Sequence, residues 1–167
     1  RRWRQMLSLR FHFNSGLGAK PQTVLRHGKA KQGPIGLKWK WNKVLFMQGL
    51  HLTADLHHCC CEPAWLLDAH ALGAACADAV QAVGLQSVGQ LFHAFPATGH
   101  GPGGVTATVL LAESHLCVHT WPEQMAVTLD VYVCNFGGDH SGKAHTLMNT
   151  LIYLFDPARV ERHALTR

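Results

Sequence analysis

The chain has 167 residues, 47% of them hydrophobic, which is enough for one domain with a sizeable core. No apolar run approaches the roughly 20 residues that span a bilayer, and the basic start lacks the apolar stretch and small-residue cleavage site of a secretory signal. We therefore expect a soluble, cytoplasmic protein. Its six cysteines are then reduced thiols, available for catalysis or metal binding rather than for a disulfide framework.

Positive charge is confined to the first part of the chain. Residues 1–46 contain eleven of the fifteen Lys and Arg residues and no acid, whereas residues 47–167 contain all ten acids. The acidic remainder argues against nucleic-acid binding by the main domain. We interpret residues 1–46 as a disordered leader or a mis-assigned start, with Met47 as the natural first residue. A basic RNA-binding arm or an organelle-targeting leader is the alternative.

The folded pattern starts with a strand and a helix. Residues 50–59 alternate apolar and polar side chains, as a half-buried strand does. Residues 64–83 are rich in Ala and Leu, with apolar positions three and four residues apart, and predict a single helix. Pro63 suits its first turn, and Gly84 suits the position just after its last turn.

Four more strands and a second helix follow. The strands are predicted at residues 87–95, 105–114, 115–121 and 125–134, with a Gly/Pro-rich loop at 96–104. The helix is predicted at 143–155, with Asp139 and Ser141 as candidate N-caps and Pro157 as its stop, and residues 158–167 close with a short strand. This order predicts an α+β fold, a two-layer α/β sandwich in which an antiparallel sheet carries two main helices on one face.

Reactive side chains are densest in ESHLCVHTWPE, residues 113–123. In a strand, His115, Cys117, His119 and Trp121 share one face, opposite the apolar side chains between them. His and Cys on one face are plausible zinc ligands, and HHCCC at 57–61 offers more, but that run lacks C-x-x-C spacing and we expect no metal.

The second chemistry open to this stretch is self-processing. A Ser beside a strained carbonyl can attack the preceding peptide bond and form an ester. Elimination then leaves dehydroalanine, which hydrolyses to a pyruvoyl group. The reaction needs an imidazole as acid and base and donors for the oxyanion, and Ser114, His119 and the hydroxyl of Thr106 could supply them.

ESHLCVHTWPE, followed by LDVYVC at 129–134, resembles the small bacterial and archaeal S-adenosylmethionine decarboxylases, whose pyruvoyl-dependent proenzymes carry ESH-x-x-x-HTWPE. HLTADL, LFHAF and GGVTATVLLAESH extend the resemblance over roughly residues 49–156. Residues 1–46 match nothing in the family.

The resemblance implies roles for the residues of self-processing and catalysis. The proenzyme would split between Glu113 and Ser114 into chains 47–113 and 114–167, and Ser114 would become the pyruvoyl group that forms a Schiff base with the substrate amine. His119 resembles the histidine that acts as acid and base in processing, and Thr106 occupies the position of a serine linked to processing. Cys134 resembles the catalytic cysteine that protonates the substrate carbon after carbon dioxide leaves.

The resemblance also implies the substrate and the assembly. S-adenosylmethionine would lie against Phe95 and Trp121, with Glu123 holding the ribose hydroxyls, and its decarboxylated form would serve as the aminopropyl donor for spermidine. Small members of the family pair protomers to complete their pockets, which implies a homodimer.

Two departures from the family leave the substrate open. Asn135 follows the cysteine where many relatives have Gly, and the 96–104 loop is longer than in compact members. A pyruvoyl-dependent decarboxylase of ornithine or arginine is therefore an alternative, although Trp121 and Glu123 favour the adenosyl substrate. The non-enzyme alternative is a small metal- or RNA-binding module.

Overall fold

The computed structural model describes residues 48–99 and 101–167. The predicted leader, residues 1–46, and the proposed start at Met47 lie outside the described residues. In the described part of the chain, no helix combines the length and the apolar character needed to cross a membrane.

Six strands form one antiparallel sheet in the order β2-β3-β4-β5-β1-β6. The strands are β1 (Gly49–Cys59), β2 (Ser87–Ala94), β3 (Val105–Leu111), β4 (Ser114–Trp121), β5 (Ala126–Cys134) and β6 (Pro157–Thr166). The helices are α1 (Ala64–Leu67), α2 (Ala69–Ala82) and α3 (Ser141–Phe155), with a 3₁₀ turn at Pro122–Gln124.

Both longer helices cover the same face of the sheet. α2 packs on β2 and β3, α3 packs on β1 and β5, and the two helices contact each other. The core between the layers includes Leu116, Val118, Leu147, Leu151 and Phe155, all 0% exposed. Full burial of such a side chain stabilises the fold by about 1.5–3 kcal/mol. The predicted two-layer α+β sandwich is therefore confirmed.

The other face of the sheet carries polar side chains. The alternating positions of β3, β4 and β5 on that face are only partly buried, and they include Thr106, Cys117, His119 and Asp130. We call this surface the open face. The predicted alignment of His115, Cys117, His119 and Trp121 on one side of β4 is confirmed by the same burial pattern.

The prediction of a single helix over 64–83 is wrong. Asp68 is extended, with φ −108° and ψ 110°, and separates α1 from α2. Its carboxylate accepts hydrogen bonds from the N–H groups of His70 at 2.7 Å and Ala71 at 3.2 Å. Aspartate caps a helix in this way better than it serves in a helix interior. Gly84, with φ +68°, lies just beyond the helix as predicted.

The predictions for the C-terminal third need smaller corrections. α3 begins at Ser141, two residues before the predicted start, and its N-cap is His140, so neither Asp139 nor Ser141 is the cap. The Asp139 carboxylate accepts the Ser141 N–H at 2.9 Å, and this hydrogen bond lowers the pKa of Asp139. The closing strand is not short: β6 starts one residue before the predicted range and pairs with β1 over its ten residues, Pro157–Thr166. Proline is tolerated there, at the first position of an edge strand.

Candidate active site

Ser114 begins a strand and does not end one. The predicted strand 105–114 stops at Leu111, residues 112–113 form the turn of a hairpin, and Leu111 pairs with Ser114 across it. The peptide bond between Glu113 and Ser114 therefore lies where a tight turn meets a strand. The Ser114 side chain is partly buried, and its Oγ accepts the backbone N–H of Cys134 at 3.0 Å.

A cavity of about 320 Å³ lies beside this turn. A volume of this order is typical of small-molecule sites. The chain segment after α2, the hairpin turn, and the stretch from the end of β5 to the first turn of α3 surround it. Its lining includes Glu113, Ser114, Cys134, Phe136, His140 and Lys143. The structure thus brings together the predicted cleavage bond and the predicted proton donor, and we call this region the cleavage end of the sheet.

Cys134 is the last residue of β5 and is 6% exposed. It pairs with Gly49 of β1, so strands bound it on both sides: β4 through Ser114 and β1 through Gly49. The backbone of Cys134 is thus held by both neighbouring strands, and the residue lines the cavity.

Thr106 and His119 lie directly opposite each other on β3 and β4. The Thr106 hydroxyl and His119 Nδ1 are 3.1 Å apart, within hydrogen-bond distance. The hydroxyl therefore orients the imidazole on the open face, which leaves Nε2 as the ring nitrogen available for proton transfer.

The predicted substrate-binding residues gather near this pair. Trp121 ends β4, Glu123 follows in the 3₁₀ turn, and Phe95 follows β2, where its N–H donates to the carbonyl of Gly104 at 2.9 Å. A side chain at Gly104 would collide with the carbonyl oxygen of Thr120, so glycine permits this close approach. We call the region of Thr106, His119, Trp121, Glu123 and Phe95 the histidine end.

One chain does not bring the two ends together. Ser114 and His119 are five positions apart on β4, about 17 Å along an extended strand. Their side chains also point to opposite faces, because Ser114 alternates with His115 and lies on the side of buried Leu116. Within one chain, His119 and Thr106 therefore lie too far from Ser114 to act on it, and their roles in processing stay predictions.

Sequence reasoning missed a cluster on the open face. His51 Nε2 lies 2.7 Å from Asp130 Oδ2, and His115 Nε2 lies 3.2 Å from Asp130 Oδ1. Both imidazoles also contact the ring of Tyr132, at centroid distances of 5.8 and 5.7 Å. Three different strands contribute, so only the register of β4, β5 and β1 reveals it.

The potential ligand atoms of this cluster lie within 4.8 Å of one another, the spacing of a possible metal site. In the structure, however, the Asp130 carboxylate already takes a hydrogen bond from each imidazole, which accounts for the cluster without an ion. HHCCC at 57–61 is a poorer candidate, because burial raises the pKa of Cys59 to about 11. Metal ligation needs the thiolate, so an ion would have to displace a proton that this thiol holds more tightly than usual.

A family model described as S-adenosylmethionine decarboxylase matches residues 50–167. The chain belongs to this family. The match spans all six strands apart from Gly49, and it contains every predicted site residue.

Individual members of the S-adenosylmethionine decarboxylase family agree with this assignment. The S-adenosylmethionine decarboxylase proenzyme of Parasynechococcus marenigrum (strain WH8102) is 35% identical over 119 residues, 71% of this chain and 82% of the relative. The proenzyme of Hydrogenobaculum sp. (strain Y04AAS1) is 34% identical over 119 residues, 71% of this chain and 81% of the relative.

The fold agrees as well. The crystal structure of the adenosylmethionine decarboxylase from Aquifex aeolicus VF5 superimposes with a TM-score of 0.62 at 31% sequence identity, over 72% of this chain and 91% of that one. The resemblance predicted from ESHLCVHTWPE is confirmed by sequence and by structure.

Proposed function

We propose that this protein is a self-processing, pyruvoyl-dependent decarboxylase of S-adenosylmethionine. Its product, decarboxylated S-adenosylmethionine, serves as the aminopropyl donor for spermidine synthesis. The observation that carries the proposal is the position of the bond between Glu113 and Ser114, in a two-residue turn beside a cavity that Cys134 also lines. The family membership of residues 50–167 supports the same substrate.

Cleavage starts from the Ser114 hydroxyl. Oγ attacks the carbonyl carbon of Glu113, the C–N bond breaks as the C–O bond forms, and the freed amine of Ser114 takes a proton. Removal of the Ser114 Cα proton then breaks the Cβ–Oγ bond, so Oγ leaves within the new Glu113 carboxylate. Water replaces the nitrogen of the remaining dehydroalanine and releases ammonia, which leaves the pyruvoyl group.

The residues at the cleavage end fit a pyruvoyl group at position 114. Ser114 lies at the cavity wall, so the ketone made from it would face a space open to a small molecule. This group supplies an electron-withdrawing carbonyl to which the substrate amine attaches. Cys134, at the same wall, then delivers a proton to the substrate carbon that has lost carbon dioxide.

The working site in this proposal lies between two copies of the chain. One protomer contributes Ser114 and Cys134, and its partner contributes His119 and Thr106. The partner's Trp121, Glu123 and Phe95 complete the adenosyl pocket. The separation of about 17 Å along β4 within one chain supports this arrangement.

We place the enzyme in the cytoplasm. All six cysteines are free thiols in the structure, among them the proposed acid Cys134. Reducing compartments keep thiols in this form.

Intact mass spectrometry and an assay of carbon dioxide release test the proposed function. We expect the purified protein to contain two polypeptides, one ending at Glu113 and one beginning with the pyruvoyl group, and the Ser114→Ala variant to remain a single chain. Release of carbon dioxide is expected from S-adenosylmethionine and not from ornithine or arginine. An unsplit wild-type chain contradicts self-processing, and preferential turnover of ornithine or arginine contradicts the substrate.

A further inference from the structure

Asn135, directly after Cys134, is tied to two other parts of the fold. Its Oδ1 accepts the N–H of His140 at 2.9 Å, and its Nδ2 donates to the hydroxyl of Ser141 at 3.1 Å. Its backbone N–H donates to the carbonyl of Gln48 at 2.8 Å. One residue thus joins the end of β5 to the first turn of α3 and to the start of β1.

We propose that Asn135 is a positioning residue that holds the Cys134 thiol at the substrate carbon and away from the carbon derived from Ser114. The inference rests on the proposed function, in which Cys134 is the proton donor. Asn135 does not line the cavity, so its effect passes through its neighbours.

Three residues close to Asn135 in the chain line the cavity. Cys134 precedes it, and Phe136 and His140 belong to the loop that its side chain closes. Phe136 is 60% exposed, so core packing does little to hold this loop. The two side-chain hydrogen bonds of Asn135 therefore hold Cys134, Phe136 and His140 in fixed positions relative to one another.

Self-cleavage makes the hydrogen bonds of the Asn135 side chain more important for the position of Cys134. In the uncleaved chain the N–H of Cys134 is held by Ser114 Oγ. That oxygen leaves with the Glu113 carboxylate when the Cβ–Oγ bond breaks, so the mature enzyme loses this contact. The hydrogen bonds made by Asn135 involve no atom of the cleaved bond, so they remain in the mature enzyme.

Thiol position decides between two outcomes of each turnover. After carbon dioxide leaves, a proton on the substrate carbon gives the product and restores the pyruvoyl group. A proton on the carbon derived from Ser114, followed by addition of water, releases the substrate as an aldehyde. The nitrogen of the substrate amine remains on the enzyme, in an N-terminal alanine. The enzyme is then inactive, because alanine has no ketone.

The test counts turnovers before inactivation in wild type, Asn135→Gly and Asn135→Ala. We expect both variants to split into two chains as the wild type does, and to complete at least about fivefold fewer turnovers, because a small displacement of a reacting group changes its rate steeply. Edman degradation supplies a second readout, since N-terminal alanine is sequenced and a pyruvoyl group blocks the reaction. More alanine per turnover is expected in both variants.

Two further variants separate positioning from a general structural effect. Asn135→Asp keeps an acceptor for the His140 N–H and can accept the Ser141 hydroxyl proton, so it should retain most of the wild-type turnover number. Asp139→Ala removes the neighbouring hydrogen bond to the Ser141 N–H and leaves the ties of Asn135 in place, so its turnover number should match wild type.

The outcomes distinguish this inference from the proposed function. If the wild type neither splits nor releases carbon dioxide, the proposed function fails and the inference fails with it. If the wild type is active and Asn135→Gly and Asn135→Ala inactivate at the wild-type frequency, the role of Asn135 alone is wrong. An equal loss in Asp139→Ala would also overturn it, because disturbance of the helix start would then be sufficient.

Discussion

Single side chains at both ends of β4 are held by partners on neighbouring strands. His119 is bonded to Thr106 on β3, and Ser114 is bonded to the N–H of Cys134 on β5. A hydrogen bond of this kind contributes about 0.5–1.5 kcal/mol. The side chains of His119 and Ser114 are therefore each oriented within a single chain, before two chains would associate. A reaction that depends on precise positioning benefits from this.

Replacement of His119 by Ala should slow self-cleavage about 100-fold or more, because a positioned acid or base contributes that much to a proton-transfer step. The uncleaved fraction is followed by gel electrophoresis after a burst of synthesis. His145→Ala, which removes an exposed imidazole from α3, should cleave at the wild-type rate. Cleavage of His119→Ala at the wild-type rate would show that another group processes Ser114.

At the level of elements, short-range chemistry decides where each helix or strand begins. Asp68 breaks the predicted 64–83 helix because its carboxylate bonds to the N–H groups of the following turn. The 96–104 loop reaches β4 because Gly103 and Gly104 have no side chains, and the carbonyl groups of Phe95 and Thr120 occupy the space a Cβ would need. This loop brings Phe95 to the histidine end.

Gly104→Ala should displace the loop and weaken substrate binding. Thr120 cannot move away from the added methyl group without losing hydrogen bonds. Its hydroxyl accepts the N–H of Val105 and donates to the carbonyl of Leu66, both at 2.7 Å. We expect a loss of about 1–3 kcal/mol in the free energy of unfolding, as for other overpacked sites, together with a higher KM for S-adenosylmethionine.

Gly99→Ala is the matched control for this loop. A Cβ at Gly99 meets nothing within 4 Å, so urea unfolding and KM should stay near wild type. If Gly104→Ala behaves like this control, the loop does not position the substrate pocket.

On the scale of the whole molecule, the two halves of the site lie at opposite ends of one strand. The sheet is rigidly paired across β3, β4 and β5, so bending cannot bring His119 to Ser114. In the arrangement that we propose, the histidine end of a second protomer lies against the cleavage end of the first. A symmetric dimer of this kind would contain two equal sites.

Coexpression of Ser114→Ala and His119→Ala chains with different tags tests this arrangement. Neither variant is expected to split when it is made alone. In the purified mixed dimer, the Ser114 of the His119→Ala chain meets the intact His119 of its partner, so that chain alone should split. Intact mass spectrometry identifies which chain is cleaved, and two intact chains in the mixed dimer would contradict a shared site.

The sequence by itself determined the family and the order of elements, and it predicted which bond is cleaved. ESHLCVHTWPE places unusual reactive groups at fixed spacing, and alternation or three-and-four spacing of apolar residues reveals strands and helices locally. These signals depend on neighbours along the chain, so no three-dimensional information was needed. Apolar spacing alone misses the Asp68 break and the early start of α3, since both depend on which nearby backbone N–H groups a carboxylate reaches.

Only the tertiary structure decided which reactive groups meet. The His51–Asp130–His115 cluster depends on the register of three strands that are far apart in sequence. The ties of Asn135 to His140 and Ser141 depend on where α3 starts, and the separation of Ser114 from His119 depends on β4 being straight and paired on both sides. Spacing along a chain fixes the face on which a side chain lies, but distances between strands follow from the pairing of the whole sheet.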